Sequence, residues 1–338
     1  MYLNKLILII FFIILNFSKI NYTSNIIYLK NDVEYNQTNL TEIPISYGLN
    51  NANFYPTLVS ITSVLENADN STYYLIYILV SDKTRNFSTN NKRKFKNLEK
   101  KYQRCSIIII EINDNLFKYA NINRYPISAY YRLLLAKLLP GLKRIIYLDG
   151  DTIVLTDLKE MINLNMNNNI IMGFIDNSHF LAEDFGIKTY NYITTGVLLF
   201  NLEIMKKENI TKKFFEFMKN NKDLLKQEDQ TIINIVLNGR IGILPPKFGI
   251  WDFNNITYLR LHNHYLNYTK NVSCYKDSEL VNGLKNPSII HYVFTKPYRF
   301  LNYQLDRRFI MIWFYYAQKT NQYKNIINYY NFSLLKLI

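Results

Sequence analysis

Sulfur is scarce in this chain. Two cysteines in 338 residues exclude a disulfide-stapled scaffold and leave either one bridge, Cys105 to Cys274, or two buried free thiols. Long apolar runs are missing too. The longest, residues 6–15 behind Lys5, is short for a membrane span and matches the core of a signal peptide or an uncleaved signal anchor. Acidic residues are the minority charge, 26 against 40 basic, for a net charge of +14. The bases are nevertheless spread along the chain. Only the NKRKFK segment at residues 91–96 is dense, and it runs on with helical spacing at Phe95, Leu98 and Tyr102, the pattern of a solvated helix face. No nucleic-acid motif accompanies it, so nucleic acid is not an expected partner. With only ten glycines and eight prolines, the chain shows no internal repeat or linker.

What is present is enough apolar and aromatic residue, 49% and 15%, for a large core in one sizeable domain or a domain with an appendage. Residues 1–20 read as the leader, 21–41 as a polar stem, 42–300 as the folded body and 301–338 as a C-terminal helical extension in which Phe309, Ile312, Trp313 and Tyr316 share a face. The leader implies a secretory-pathway lumen with membrane anchoring through the N-terminal segment, or secretion. Asn-x-Ser/Thr triplets, at Asn36, Asn70 and Asn209 among others, agree with that location. Within the body, apolar β-branched runs at 43–47, 73–80 and 107–112 alternate with helical patterns at 56–65 and 91–101. A further helix is expected over 128–139, capped by Ser128. That alternation predicts an α/β fold with a mainly parallel sheet flanked by helices.

The chemistry gathers at residues 144–157, RIIYLDGDTIVLTD. A short apolar strand stops at two carboxylates, Asp149 and Asp151. Side chains two apart leave a strand on one side, so both can face a single point. Gly150 between them permits close approach to the backbone. Hard oxygen ligands at the carboxyl end of a buried strand suit Mg2+ or Mn2+ bridging to phosphate. Arg132, one helical turn beyond Ser128, is a candidate clamp for an anionic or hydroxyl-rich ligand.

The stretch SAYYRLLLAKLLPGLKRIIYLDGDTIVLTDL resembles glycosyltransferase family 8, which holds lipopolysaccharide galactosyl- and glucosyltransferases and glycogenin-like enzymes. The resemblance implies a GT-A fold, a UDP-sugar donor such as UDP-glucose or UDP-galactose, a carbohydrate or glycoconjugate acceptor, and a retaining hexosyl transfer. It implies a manganese ion on Asp149, Asp151 and His291, with Lys296 on the donor diphosphate and Arg132 reaching toward the donor sugar. Gly196 matches the family's sugar-pocket strand, where Thr194 stands in place of the usual asparagine. Asp229 and Gln230 match the opening of a family helix, the glutamine lying beneath the reactive carbon and Asp229 near the sugar hydroxyls. In the base pocket the resemblance points to Asn51, Asn53 and Phe54, the last as a stacking ring. Departures from the family pattern at Thr194, Thr231 and Phe294 motivate an alternative, a catalytically inactive relative that binds nucleotide sugar or glycan.

Overall fold

In the computed structural model, which describes residues 26–28, 40–83, 89–122, 125–176, 186–187, 192–251, 275–293, 296–298 and 307–330, the isoleucine-rich runs pair into an eight-stranded mixed sheet. Its strands are β1 (Ile26–Tyr28), β2 (Thr41–Leu49), β3 (Thr72–Ser81), β4 (Cys105–Ile112), β5 (Arg144–Leu148), β7 (Ile171–Ile175), β8 (Ile193–Asn201) and β9 (Ile241–Ile243), in the order β1-β4-β3-β2-β5-β8-β7-β9. Strands β2 to β5 run parallel, whereas β8 is antiparallel to both β5 and β7. Beside it, β10 (Ile250–Trp251), β11 (Ile289–His291) and β6 (Thr152–Val154) form a small second sheet.

The central strands are buried on both faces, which is why they read as continuous rather than alternating apolar runs. One core cluster lies between the sheet and the helices α1 (Phe54–Glu66) and α2 (Thr89–Tyr102). A second lies under α3 (Ile210–Asn220) and α4 (Glu228–Val236) on the other face. A third packs α5 (Arg307–Lys319) and α6 (Tyr323–Tyr329) over the small sheet. There Trp313 is fully buried, and Phe309 and Tyr316 share its face, as their spacing predicts. Asn67 at the end of α1 donates to the Tyr316 hydroxyl at 2.7 Å.

The expected helix over 128–139 takes a tighter form. Residues Ile127–Leu134 wind as a 3-10 helix and only Leu135–Leu138 as an α-helix. Pro126, not Ser128, precedes the first turn, and Ser128 is buried. The three-residue winding eclipses side chains three apart, and Arg132 folds back to donate from Nε to the Ala129 carbonyl at 2.8 Å. Cys105 is a buried free thiol, with burial pushing its pKa up. Cys274, Phe294 and the apolar run at residues 6–15 lie outside the described residues.

Helix α1 positions the site through hydroxyls as well as hydrocarbon. Ser60 bonds Thr152 at 2.9 Å, Ser63 accepts from the Val154 amide at 2.9 Å, and Thr152 donates to the Asp149 carbonyl at 2.9 Å. Gly150 is required for this docking, because a Cβ there would meet Thr57 Oγ1 at 2.1 Å. The close approach read from the sequence is thus that of α1 itself.

Helix α2 is pinned to β4 by Glu99, a buried carboxylate that accepts the Ile107 amide at 2.5 Å. Burial raises its pKa from 4.5 to about 7, with the Ile107 bond and Lys96 opposing. A folded-state value above the unfolded one means the native chain holds the extra proton, so stability falls as pH rises from about 4.5 to about 7. Glu99→Gln is expected to flatten that part of the stability profile, gaining up to about 3 kcal/mol at neutral pH, measured by urea denaturation at pH 5 and pH 8.

Candidate active site

Four chain segments meet at the carboxyl end of β5. Strand β5 delivers Asp149 and Asp151 immediately after Leu148. Strand β8 runs the other way, so its beginning lies beside β5's end, with Leu148 opposite Val197 and the Asp149 amide donating to the Gly196 carbonyl at 2.8 Å. Strand β11 pairs His291 with Thr152, just past Asp151. The junction of β7 and β8 carries an irregularity: Gly173 faces Leu198, yet Phe174 faces Thr194. Such a break in the ladder releases backbone groups. Here the Thr195 carbonyl accepts from Arg132 Nη1, and the Thr195 amide donates to Gln230 Oε1 at 3.3 Å.

His291 Nε2 stands 3.4 Å from Asp151 Oδ1 and 3.9 Å from Asp149 Oδ2. One ligand atom from each residue lies within 4.8 Å of the others. In both carboxylates the second oxygen is already taken. Asp149 Oδ1 accepts from Arg132 Nη2 at 2.9 Å and from the Tyr147 hydroxyl at 3.1 Å. Asp151 Oδ2 accepts from Lys296 Nζ at 2.5 Å. Asp151 Oδ1 is buried and accepts no hydrogen bond among the described residues, as expected of an oxygen reserved for a cation. Burial alone would raise Asp151's pKa, but Lys296 and His291 outweigh it and hold the carboxyl well below the usual range. The donor set, two carboxylate oxygens and one imidazole, fits a divalent ion such as Mn2+ or Mg2+. Gly196 makes room for the histidine: a Cβ there would fall 2.0 Å from His291 Cε1.

Arg132 is 3% exposed and fully engaged. Besides Asp149, Thr195 and Ala129 it faces Asp229, with Nε 3.2 Å from Oδ2, and its guanidinium lies 4.1 Å above the Tyr147 ring. Its role here is to join the two aspartates. Asp229 is itself buried, and burial lifts its pKa to about 6 against the opposing pull of Arg132. Gln230 is fixed as firmly, donating to Asp176 Oδ2 at 2.7 Å and to Gln227 Oε1 at 2.5 Å. Lys296 also donates to the Tyr292 and Val293 carbonyls, so its ammonium rests against Asp151.

These groups line one cavity of about 410 Å³, together with Gly150, Thr194, Gly196, Asn50 and Asn53. The cavity does not include two residues expected in a base pocket. Phe54 is 4% exposed, packed edge-on against Phe95 with Lys94 above its ring, and offers no face for stacking. Asn51 is exposed and outside the lining. Asn53 lines the cavity, but its carboxamide is engaged within its own loop, accepting the Asn50 amide at 2.7 Å and donating to the Gly48 carbonyl at 3.3 Å. Tyr125, 44% exposed, stands at the rim. Asp176 was legible by the rule that found Asp149, since it is the first residue after an apolar strand, β7. Tyr147 was legible as the residue two before Asp149 and therefore on its side of the strand.

Comparison with known proteins agrees with this geometry. The family model "Glycosyl transferase family 8" matches residues 44–301. A putative glycosyltransferase of Haemophilus influenzae is 26% identical over 198 residues, 56% of this chain and 58% of that protein. The lipopolysaccharide 1,2-glucosyltransferase of Escherichia coli is 26% identical over 215 residues, 60% of this chain and 61% of that protein. The chain therefore spans less than two thirds of either relative. Among solved structures, the galactosyltransferase LgtC in complex with donor and acceptor sugar analogues superposes with a TM-score of 0.64 at 18% identity, covering 85% of this chain and 100% of that one. The fold is GT-A, a mainly parallel mixed sheet flanked by helices. The relatives also correct the location inferred from the leader. They are bacterial proteins, and bacteria have neither endoplasmic reticulum nor Golgi, so a secretory-pathway lumen does not stand. Among the described residues no helix is long and apolar enough to cross a membrane. With a family model covering more than half of its length and the matching fold beneath it, the chain belongs to glycosyl transferase family 8.

Proposed function

We propose that this glycosyltransferase is a metal-dependent retaining hexosyltransferase that takes glucose or galactose from a UDP-sugar and passes it to a carbohydrate or glycoconjugate acceptor. The observation that carries the reading is the convergence of one ligand atom each from Asp149, Asp151 and His291, all lining the cavity, with His291 Nε2 facing Asp149 Oδ2 and Asp151 Oδ1. When bound there, a divalent cation supplies neutralisation of the charge that builds on a departing nucleoside diphosphate.

The chain's own groups do the remaining work. Lys296 brings a second positive charge to the diphosphate side, close to Asp151. Arg132 keeps Asp149 and Asp229 apart in charge and fixed in place. Gln230 presents an amide, held at both ends, where a covalent double displacement would require a carboxylate nucleophile. Retention is therefore read as front-side transfer: the acceptor hydroxyl approaches on the face that the diphosphate leaves and gives its proton to the departing oxygen. Asp229 and Thr194 are assigned to the sugar hydroxyls, and the cavity-lining Asn50–Asn53 loop, whose shape the Asn53 carboxamide bonds hold, to the base.

Incubation of the purified protein with UDP-glucose or UDP-galactose is expected to release UDP when Mn2+ is present and to stop with EDTA. A protein that only binds nucleotide sugar would release none. Asp151→Ala is expected to bring that release to background while leaving the circular dichroism spectrum unchanged; surviving Mn2+-dependent activity would refute the scheme. Gly196→Ala, which drives a methyl into the His291 ring, is expected to reduce turnover by about tenfold or more with a comparatively small drop in Tm.

A further inference from the structure

The two oxygens of Asp149 live in different surroundings. Oδ1 receives two donors, Arg132 Nη2 at 2.9 Å and the Tyr147 hydroxyl at 3.1 Å, while Oδ2 is turned toward His291. Tyr147 is 1% exposed, and its hydroxyl donates to Asp149 Oδ1. Strand geometry sets this up: residues 147 and 149 are two apart and project to the same side. The Arg132 guanidinium over the tyrosine ring closes the triangle, so the phenol, the guanidinium and the carboxylate hold one another in register.

We propose that Tyr147 is a positioning residue for the divalent cation. Together with Arg132 it occupies Asp149 Oδ1, so the carboxylate offers a single oxygen, and the site favours small cations such as Mn2+ over Ca2+. The chemistry behind this preference is general. Ca2+ takes six to eight oxygens and readily uses both oxygens of one carboxylate, whereas the smaller ions accept fewer ligands at shorter distance. A carboxylate whose second oxygen carries two fixed donors cannot turn to offer both. The proposal rests on the metal-dependent reading above, and its test separates the two.

The experiment uses the metals alone, without donor. Mn2+ binding to the full chain is followed by loss of the electron paramagnetic resonance signal of the free ion, and Ca2+ by competition against it. Tyr147→Phe removes one hydroxyl and keeps the ring beneath Arg132. The expected result is about tenfold weaker Mn2+ binding with Ca2+ affinity changed by less than about twofold, so that the preference between the ions collapses. Mn2+ affinity within about twofold of the parent would overturn the proposal. So would equal losses for both metals, which is what a loosened fold alone produces. A parent protein that binds neither metal would overturn the metal-dependent reading itself, whereas a parent that binds with an unchanged variant overturns the tyrosine's role alone.

Discussion

Two carboxylates of like charge cannot share a mostly buried turn unless fixed cations stand beside them, and the architecture around Asp149 and Asp151 follows from that requirement. Arg132 answers the first aspartate and Lys296 the second, each from a different part of the chain. Burying a guanidinium has its own demands: every donor direction needs an acceptor. Arg132 finds them in the Ala129 and Thr195 carbonyls and in Asp149, while Asp229 stands beside it as an ion-pair partner. The break between β7 and β8 is what frees the Thr195 carbonyl, so a local irregularity in the sheet is part of the electrostatics of the site.

That arrangement also explains why the candidate site is spread so widely in sequence. The turn after β5 supplies the carboxylates, β11 the imidazole, the 3-10 segment Ile127–Leu134 the arginine, and α4 the acid that completes the buried pair. Each of these charged groups is held against a partner from another segment. Catalytic geometry and the folding of this half of the molecule are consequently the same problem, and charge neutralisation is its common term.

Much of this was legible in the residues, for identifiable reasons. The period-two relation between Asp149 and Asp151 needs only strand geometry, and the apolar strand that leads into them makes their position at the sheet's carboxyl end predictable. His291, at the end of a three-residue apolar strand, was legible through its place in a family pattern. What could not be read are features decided by neighbours distant in sequence. Phe54 has the composition of a stacking ring, but Phe95 and Lys94 of α2 cover it. Gly150 reads as an opening for a ligand, yet Thr57 fills the space. Ser128 reads as a helix cap, and the tighter winding buries it in the cavity wall instead. The apolar run at residues 6–15 shows the limit of local pattern, because a secretory address is inferred from sequence character alone whereas the relatives of the chain are bacterial proteins.

The hydroxyl ladder of α1 has a consequence for recognition. The helix begins directly after the Asn50–Asn53 loop and is bonded along its length, through Ser60 and Ser63, to the strand that follows Asp151. The loop at one end of the cavity and the acidic turn at its floor are therefore riveted to a single rod and keep a constant separation. The distance between the two ends of the cavity is accordingly a property of the helix and its bonds to the small sheet, not of either loop by itself.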